Sequence, residues 1–281
     1  MADRPYPRIG LALGGGGARG LAHIAILEAF DETGVRPAAI AGTSIGALIG
    51  AAYAAGYSAR EIRTHAEGAL ANRIEAARRF LGDSRVKMLD LINLRPFSGA
   101  LFEGQALARL ALPEIMPETF EELAIPLTLM ATDFYGRKEV ALKSGPLIPA
   151  VAASMALPGL VSPQTIDGCL LIDGGVTNPL PFDHLETVDI TVAVDVTGRP
   201  VRESDEPPSG TELWFRSAMI MEHLIVQAKI ERHAPDMLIV PDVDEFRVLE
   251  FLKIREILAG SAPAKAELKR ALEKLLQSQT A

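Results

Sequence analysis

The chain has 281 residues, enough for one large domain or two small ones. Its composition, 48% hydrophobic, 23% charged and 5% aromatic, is typical of a globular protein. A net charge of −8 argues against broad nucleic-acid binding, which requires clustered positive charge. Because Cys169 is the single cysteine, an intramolecular disulfide and a cysteine-based zinc site are both excluded.

The apolar segments of the chain are short. No window reaches the roughly 18–20 apolar residues of a membrane span. The first apolar run, IGLAL, is shorter than the core of a signal peptide. We therefore expect a cytoplasmic protein, with peripheral contact at the inner membrane face left open.

The first 55 residues repeat one pattern. A strand is predicted from Arg8 to Leu13, and a helix from Ala18 to Thr33 follows a run of four glycines. A second short strand, residues 38–41, and Gly-Thr-Ser then lead into a helix from Ile45 to Ala55. Such alternation favours a parallel sheet with helices on its faces.

The middle of the chain continues this alternation, with one irregular insertion from Gly82 to Gly104 that we interpret as a cap or lid. The other elements predicted here are helices at 60–80, 103–112 and 148–156 and strands at 126–133 and 138–142. Asp167-Gly168 then predicts a hairpin turn, whose second strand, Cys169 to Ile172, delivers Asp173 at its C-terminal end.

The last third of the chain is predicted to be mainly helical. A strand at 188–194 and an exposed loop at 199–210 precede helices at 211–232, 244–258 and 262–277, with a strand at 237–240. An apolar stripe on the last helix predicts packing against the core or against a second copy, which leaves a homodimer open; it consists of Leu268, Leu272, Leu275 and Leu276.

Ser44 lies in G-x-S-x-G, between a predicted strand and a predicted helix. This pattern is typical of a nucleophile elbow, in which Gly42 and Gly46 leave room for neighbouring backbone. The N-terminus of the following helix favours developing negative charge at the hydroxyl. A serine that merely caps the helix is the structural alternative.

The glycine run from Gly14 to Gly20 predicts a concave nest of backbone amides that binds a phosphate or an oxyanion. It also fits G-x-G-x-x-G, but a dinucleotide site needs an acidic residue at the end of the second strand. That strand ends instead in Gly42-Thr43-Ser44, which counts against nucleotide binding.

The glycine nest, Ser44 and Asp173 all fall at the C-terminal ends of predicted strands, the edge where sites of open α/β sheets collect. A carboxylate within hydrogen-bond reach can accept the serine proton without a histidine. Two alternatives stay open here: a Ser–His–Asp hydrolase with His184 as base, and a non-catalytic or weakly active regulator that binds a lipid or acyl group.

The set of motifs LALGGGGARGLAHIAIL, GTSIG, ASMALPGLVSP and IDGGVTNPLP resembles the patatin-like phospholipase family in its bacterial form. The resemblance implies a three-layer α/β/α sandwich with a mostly parallel central sheet, followed by a helical C-terminal region. It implies that Ser44 is the nucleophile and Asp173 the base, with an oxyanion hole formed by Gly15, Gly16 and Gly17.

The resemblance also implies supporting residues. Arg19 and Gly20 position the glycine loop, and Gly174 and Gly175 complete the DGG motif. We expect a pocket wall formed by Met155, Leu157, Pro158 and Leu160. Residues 1–200 would form the catalytic domain, with the helices of residues 201–281 packed on it.

The activity implied by the resemblance is hydrolysis of a lipid or other acyl ester, of the phospholipase A, lysophospholipase or esterase type. No metal and no other cofactor is implied, because the serine and the aspartate supply the nucleophile and the proton acceptor themselves.

Overall fold

The computed structural model of the protein describes residues 7–80, 102–199 and 210–277. Most of the predicted lid between Gly82 and Gly104 lies outside the described residues. The same holds for residues 200–209 of the predicted exposed loop.

The described strands and helices follow the predicted alternation. The strands are β1 (Ile9–Leu13), β2 (Ala39–Thr43), β3 (Leu127–Asp133), β4 (Lys138–Leu142), β5 (Gln164–Ile166), β6 (Cys169–Asp173), β7 (Ile190–Val194) and β8 (Met237–Ile239). The α-helices are α1 (Ala22–Thr33), α2 (Ile45–Ala54), α3 (Ala59–Phe80), α4 (Gly104–Ala111), α5 (Leu147–Ser154), α6 (Gly210–Arg232), α7 (Ile254–Gly260) and α8 (Ala262–Gln277).

These strands form one eight-stranded sheet in the order β5-β6-β3-β2-β1-β7-β8, with β4 paired to β3. Its centre is parallel: β1 lies between β2 and β7, and β2–β3 and β7–β8 are also parallel. Strands β4, β5 and β6 are antiparallel to their neighbours. The predicted mostly parallel central sheet is therefore confirmed.

Strand β3 receives β2 and β6 along the same edge, because β4 occupies its other edge over residues 129–133. Parallel β2 ends with Thr43 opposite Met130. Antiparallel β6 arrives from the other direction and ends with Asp173 opposite Ala131. The C-terminal ends of β2 and β6 therefore meet at neighbouring positions of β3.

The two faces of the sheet carry different layers. Side chains such as Leu11 and Leu13 belong to the main core, which includes residues of α1, α2, α5 and α8. The opposite face presents a row of alanines in register, Ala12, Ala41 and Ala193, against which Val226 of α6 is buried. The predicted three-layer architecture is confirmed, and the small side chains let the second layer approach the sheet closely.

The C-terminal helix α8 packs against α1. Leu268 and Leu272 are buried in the same core as the residues of α1, and Lys265 Nζ lies 2.7 Å from Glu28 Oε2 and 2.6 Å from Glu32 Oε1. Helix α8 is therefore in contact with the N-terminal part of the chain, and the division into residues 1–200 and 201–281 stays a prediction.

The helix predicted at 244–258 is wrong in its first half. A 3₁₀ turn at Phe251–Lys253 leads into α7, and residues 244–250 are not helical. The backbone of this segment is hydrogen-bonded to the glycine loop instead: Val248 O accepts a hydrogen bond from Ala18 N at 2.7 Å. A helical conformation would have turned that carbonyl to an amide four residues later in the helix.

Within the described ranges, every helix is too short or too polar to cross a lipid bilayer.

We predict that Leu268→Ala lowers the free energy of unfolding by about 2–5 kcal/mol, because the side chain is fully buried and its removal leaves a cavity. The control is Leu252→Ala, whose side chain is 62% exposed and which we expect to change stability by less than about 0.5 kcal/mol. Urea unfolding followed by circular dichroism and by Trp214 fluorescence measures both. A separate transition for the C-terminal helices would contradict a shared core.

Candidate active site

Ser44 forms a strained elbow between β2 and α2, with φ 54° and ψ −120°. A non-glycine residue rarely adopts a positive φ, so the surrounding structure must hold it there. The amide of Ser44 donates to Ser154 Oγ at 3.0 Å. Side chains at Gly42 and Gly46 would collide with backbone: the Cβ at Gly46 would overlap the carbonyl of Leu13.

The hydroxyl of Ser44 donates to Asp173 Oδ2 at 2.8 Å. The other carboxylate oxygen, Oδ1, accepts from Gly175 N at 2.8 Å. Asp173 is 4% exposed, and this burial raises its pKa to about 6, against the opposing effect of the two hydrogen bonds. The carboxyl is therefore ionised at neutral pH but remains a better proton acceptor than an exposed aspartate.

A second carboxylate, that of Glu222 on α6, lies beside Asp173. A Cβ added to Gly175 would lie 2.7 Å from Glu222 Oε1 and 3.2 Å from Asp173 Oδ1, so both carboxylates face this glycine. Burial, and then the charge of Asp173, raise the pKa of Glu222 to about 8. Glu222 is consequently mostly protonated at neutral pH. No motif in the sequence identified it.

The glycine loop has some amides already bonded and others free. Gly15 N donates to Pro179 O at 2.9 Å. Among the hydrogen bonds of the described residues, none uses the amide of Gly16 or of Gly17. A Cβ on Gly15 would lie 3.5 Å from the Cβ of Ser44, so the loop lies directly beside the elbow. Of the three glycines expected to bind an oxyanion, the last two have available donors.

Arg19 supports this loop from a buried position, with 1% of its surface exposed. Its Nε donates to Gly16 O at 3.4 Å, and its Nη2 donates to Met219 Sδ at 3.2 Å. The C=O and N–H of a trans peptide point in opposite directions. Holding Gly16 O therefore points Gly17 N–H away from Arg19. Gly20 is needed because a side chain there would overlap Ile45.

The histidines take no part in the serine–aspartate contact. Fully buried His23 has its pKa lowered to about 4 by burial, and its Nε2 lies 2.8 Å from Gly14 O. His184 Nε2 lies 3.2 Å from Glu139 Oε1. In the part of the chain that the structure describes, no histidine is bonded to Ser44, which leaves the Ser–His–Asp interpretation without a base.

A cavity of about 390 Å³ opens beside Ser44. Ser44 supplies the one polar side chain among its described lining residues. Three of the four residues expected in the pocket wall, Met155, Leu157 and Leu160, line the cavity; Pro158 does not. The remaining walls come from the glycine loop, α2, α3, α4, the segment before α7, and the bridge between Phe102 and Val161. The lining residues of these walls are Gly17, Leu21, Ile45, Leu48, Ala66, Ala69, Leu70, Phe102, Leu107, Leu110, Ala111, Val161, Val248, Leu249 and Phe251.

One group of possible metal ligands occurs among the described residues. Glu139, Asp183 and His184 place ligand atoms within 4.8 Å of one another. Lys229 already bonds to Asp183 at 2.6 Å, and Asn178 donates to both acids. Because the ammonium of Lys229 already pairs with Asp183, we assign no metal to this group.

We predict that Asp173→Asn raises the free energy of unfolding above pH 6. A carboxyl with a pKa of about 6 in the folded chain and 3.8 when exposed holds its proton more tightly when folded. Its contribution to stability is therefore full below about pH 4 and is lost as the pH rises through 6. The variant should gain up to about 2–3 kcal/mol at pH 8 and almost nothing at pH 4.

Urea unfolding at pH 4 and pH 8 measures this difference. The control is Asp236→Asn, since hydrogen bonds from Thr191 lower the pKa of Asp236. That variant should lose stability at pH 8, which is the opposite sign. An Asp173→Asn protein less stable than the wild type at pH 8 would contradict the buried, destabilising charge.

Comparison with known proteins places the chain among lipid-hydrolase relatives. The sequence profile named "Patatin-like phospholipase" matches residues 11–185. An uncharacterized NTE family protein of Mycobacterium tuberculosis is 35% identical over 214 residues, covering 74% of this chain and 55% of the relative. The lysophospholipase NTE1 of Pyricularia oryzae is 29% identical over 276 residues, covering 89% of this chain and 18% of that protein.

The chain thus spans about half the length of the mycobacterial relatives, or less for the fungal one. The crystal structure of VipD from Legionella pneumophila shares the fold, with a TM-score of 0.52, 15% identity, and coverage of 95% of this chain and 67% of that one. The profile match extends over more than half of the sequence and includes both Ser44 and Asp173. The chain belongs to the patatin-like phospholipase family.

Proposed function

We propose that this protein hydrolyses carboxylic ester bonds of acyl lipids, with Ser44 as nucleophile and Asp173 as the proton acceptor. One observation carries the proposal. The Ser44 hydroxyl donates to a buried carboxylate at 2.8 Å. The choice of acyl lipids as substrates has separate support, because Ser44 lies in the wall of a cavity whose other described lining residues carry no polar side chain.

The first step is attack on the ester carbonyl. Ser44 Oγ forms a bond to the carbonyl carbon while its proton passes to Asp173 Oδ2, and the carbonyl oxygen becomes an oxyanion. The free amides of Gly16 and Gly17 are the available donors for this charge. Losing one such donor typically costs about 10²–10³ in rate.

The second step releases the alcohol and regenerates the enzyme. The tetrahedral intermediate collapses, the bond to the leaving oxygen breaks, and Asp173 returns its proton to that oxygen. Water then attacks the acyl-serine ester, and Asp173 takes a proton from the water. When this second intermediate collapses, the proton returns to Ser44 Oγ and the carboxylic acid leaves. One carboxylate serves both half-reactions.

The proposed substrate class is supported by the cavity and by the relatives. An apolar cavity suits an acyl chain, and a fungal relative carries the name lysophospholipase. Because such substrates reside in membranes or micelles, the proposal includes peripheral contact with a lipid surface, and the cytoplasmic location stays an expectation.

The alternative of a non-catalytic lipid-binding protein is less well supported. Binding an acyl chain requires neither a serine held at φ 54° nor an aspartate buried with its pKa raised to about 6. Both features cost stability, and backbone strain and perturbed carboxylates cluster at sites of chemistry.

We predict that Ser44→Ala and Asp173→Asn each lower kcat for ester hydrolysis by about 10³-fold or more, because each removes a reacting group. Hydrolysis of p-nitrophenyl butyrate and of lysophospholipid micelles measures the loss. The control is Asp133→Asn, another buried aspartate at a strand end, whose Oδ1 accepts from Gly136 N at 2.9 Å. It should retain activity.

The pH dependence of hydrolysis provides a second test. Since Asp173 must be ionised, wild-type kcat/KM should fall about tenfold per pH unit below pH 6. A fluorophosphonate should label the wild type and fail to label Ser44→Ala. Near-normal turnover in Asp173→Asn, or a loss of turnover in His184→Ala as large as that in Ser44→Ala, would overturn the serine–aspartate mechanism.

We predict that Ala69→Leu shortens the acyl chain that the enzyme accepts, because three added carbon atoms project into the cavity from α3. The ratio of kcat/KM for p-nitrophenyl palmitate to that for the acetate should fall about tenfold or more. Exposed Ala71 on the same helix gives a matched control, and Ala71→Leu should leave the ratio unchanged. Equal ratios in both variants would exclude the acyl chain from this part of the cavity.

A further inference from the structure

The dipeptide Asn178-Pro179 contacts all three turns of the site. Thr43 Oγ1, one residue before the elbow serine, donates to Asn178 O at 2.8 Å. Gly15 N in the glycine loop donates to Pro179 O at 2.9 Å, and Asn178 N donates to Gly174 O at 2.8 Å. This dipeptide therefore links the nucleophile, the glycine loop and the base through hydrogen bonds, in addition to the strand pairing that brings them together.

The side chain of Asn178 is buried and fully bonded. Its Nδ2 donates to Glu139 Oε2 at 2.9 Å and to Asp183 Oδ1 at 3.1 Å. Its Oδ1 accepts from Lys229 Nζ. Because both amide hydrogens and the amide oxygen are used, the side chain has a single orientation in this network.

Lys229 of α6 is the centre of the network. Its ammonium donates to Asn178 Oδ1, to Leu180 O at 3.0 Å and to Asp183 Oδ1 at 2.6 Å, which uses all three of its hydrogens. Its Nζ also lies 5.0 Å from the ring centroid of buried Phe182. The side chain is 18% exposed, so these contacts form largely away from water.

We propose that Lys229 is a positioning residue for the Ser44–Asp173 site. Through Asn178-Pro179 it fixes the carbonyls to which the elbow and the glycine loop are bonded. No contact of Lys229 with either Ser44 or Asp173 occurs in the structure, so its effect is indirect. The inference rests on the proposed function.

The expected effect is on the rate of the chemical step. The anchored groups, Thr43 and Gly15, each lie one residue from a reacting or stabilising group, Ser44 and Gly16. A displacement of about 1 Å at such a position can cost about 10²-fold in rate. The cavity that would hold the acyl chain is formed by other residues, so KM should change little.

The test compares Lys229→Met with Lys265→Met. Lys265 is a suitable control because it is similarly buried, with 23% of its side chain exposed. It is paired with Glu28 and Glu32 between α1 and α8. Both variants lose a partly buried ion pair and should have a lower Tm. Only Lys229→Met should also lower kcat for p-nitrophenyl butyrate, by about 10–100-fold per folded molecule, with KM within about twofold. Fluorophosphonate labelling of Ser44 should slow in parallel.

A second variant keeps the proposal testable if Lys229→Met does not fold. Glu139 is 42% exposed at its side chain and holds Asn178 Nδ2, so Glu139→Ala should fold and should lower kcat about two- to fivefold. Normal kcat and normal labelling in Lys229→Met would overturn the positioning role. If Lys229→Met is unfolded, the same result in Glu139→Ala would overturn it. A wild type that neither turns over esters nor labels at Ser44 would instead overturn the proposed function.

Discussion

The contact between Ser44 and Asp173 depends on two strands that run towards each other along one edge of β3. Thr43 lies opposite Met130 and Asp173 opposite Ala131, so the strand ends meet. A one-residue slip of β6 would turn the carboxylate to the other face of the sheet. The register of β6 against β5 is set locally by a two-residue turn in which residues 167 and 168 have φ 50° and 78°, both positive, as the hairpin turn that matches strand twist requires. The register of β6 against β3 comes from the non-local pairing itself.

The site concentrates features that cost stability, and the rest of the fold offsets them. Ser44 has a positive φ, Asp173 is a buried charge, and Glu222 is a half-buried carboxyl that must be neutralised at physiological pH. Arg19 is buried with no carboxylate within ion-pair distance in the described structure. The large apolar core, which is formed by the central strands and the helices packed on them, supplies the compensating stability. A protein that carries such features is expected to be less stable than one whose sequence is optimised for the same fold.

Much of this arrangement could be predicted because it is local. Glycine turns, strand ends and the Asp167-Gly168 hairpin are short-range signals. They were sufficient to predict the sheet and the three turns that carry the glycine loop, Ser44 and Asp173. The helix predicted at 244–258 failed in its first half because a tertiary bond to Ala18 overrides its amphipathic pattern. The bond from Gly15 N to Pro179 O, the position of Glu222 and the reach of Lys229 to Asn178 all join residues distant in sequence, for which one sequence contains no signal.

Helix α6 shows most clearly why such contacts escape sequence analysis. Met219, Glu222, Val226 and Lys229 follow helical spacing and therefore share one face. Met219 bonds to the arginine of the glycine loop, Glu222 faces the DGG turn, Val226 is buried against the sheet, and Lys229 holds the dipeptide that joins the turns. The more exposed positions carry large apolar side chains, namely Leu213, Trp214, Ile220, Met221 and Leu224. Hydrophobic periodicity along α6 is almost absent, so the sequence pattern selects neither face for burial. The helix is oriented instead by polar contacts with the three turns, so the residues that support the proposed chemistry also determine which side of α6 meets the protein.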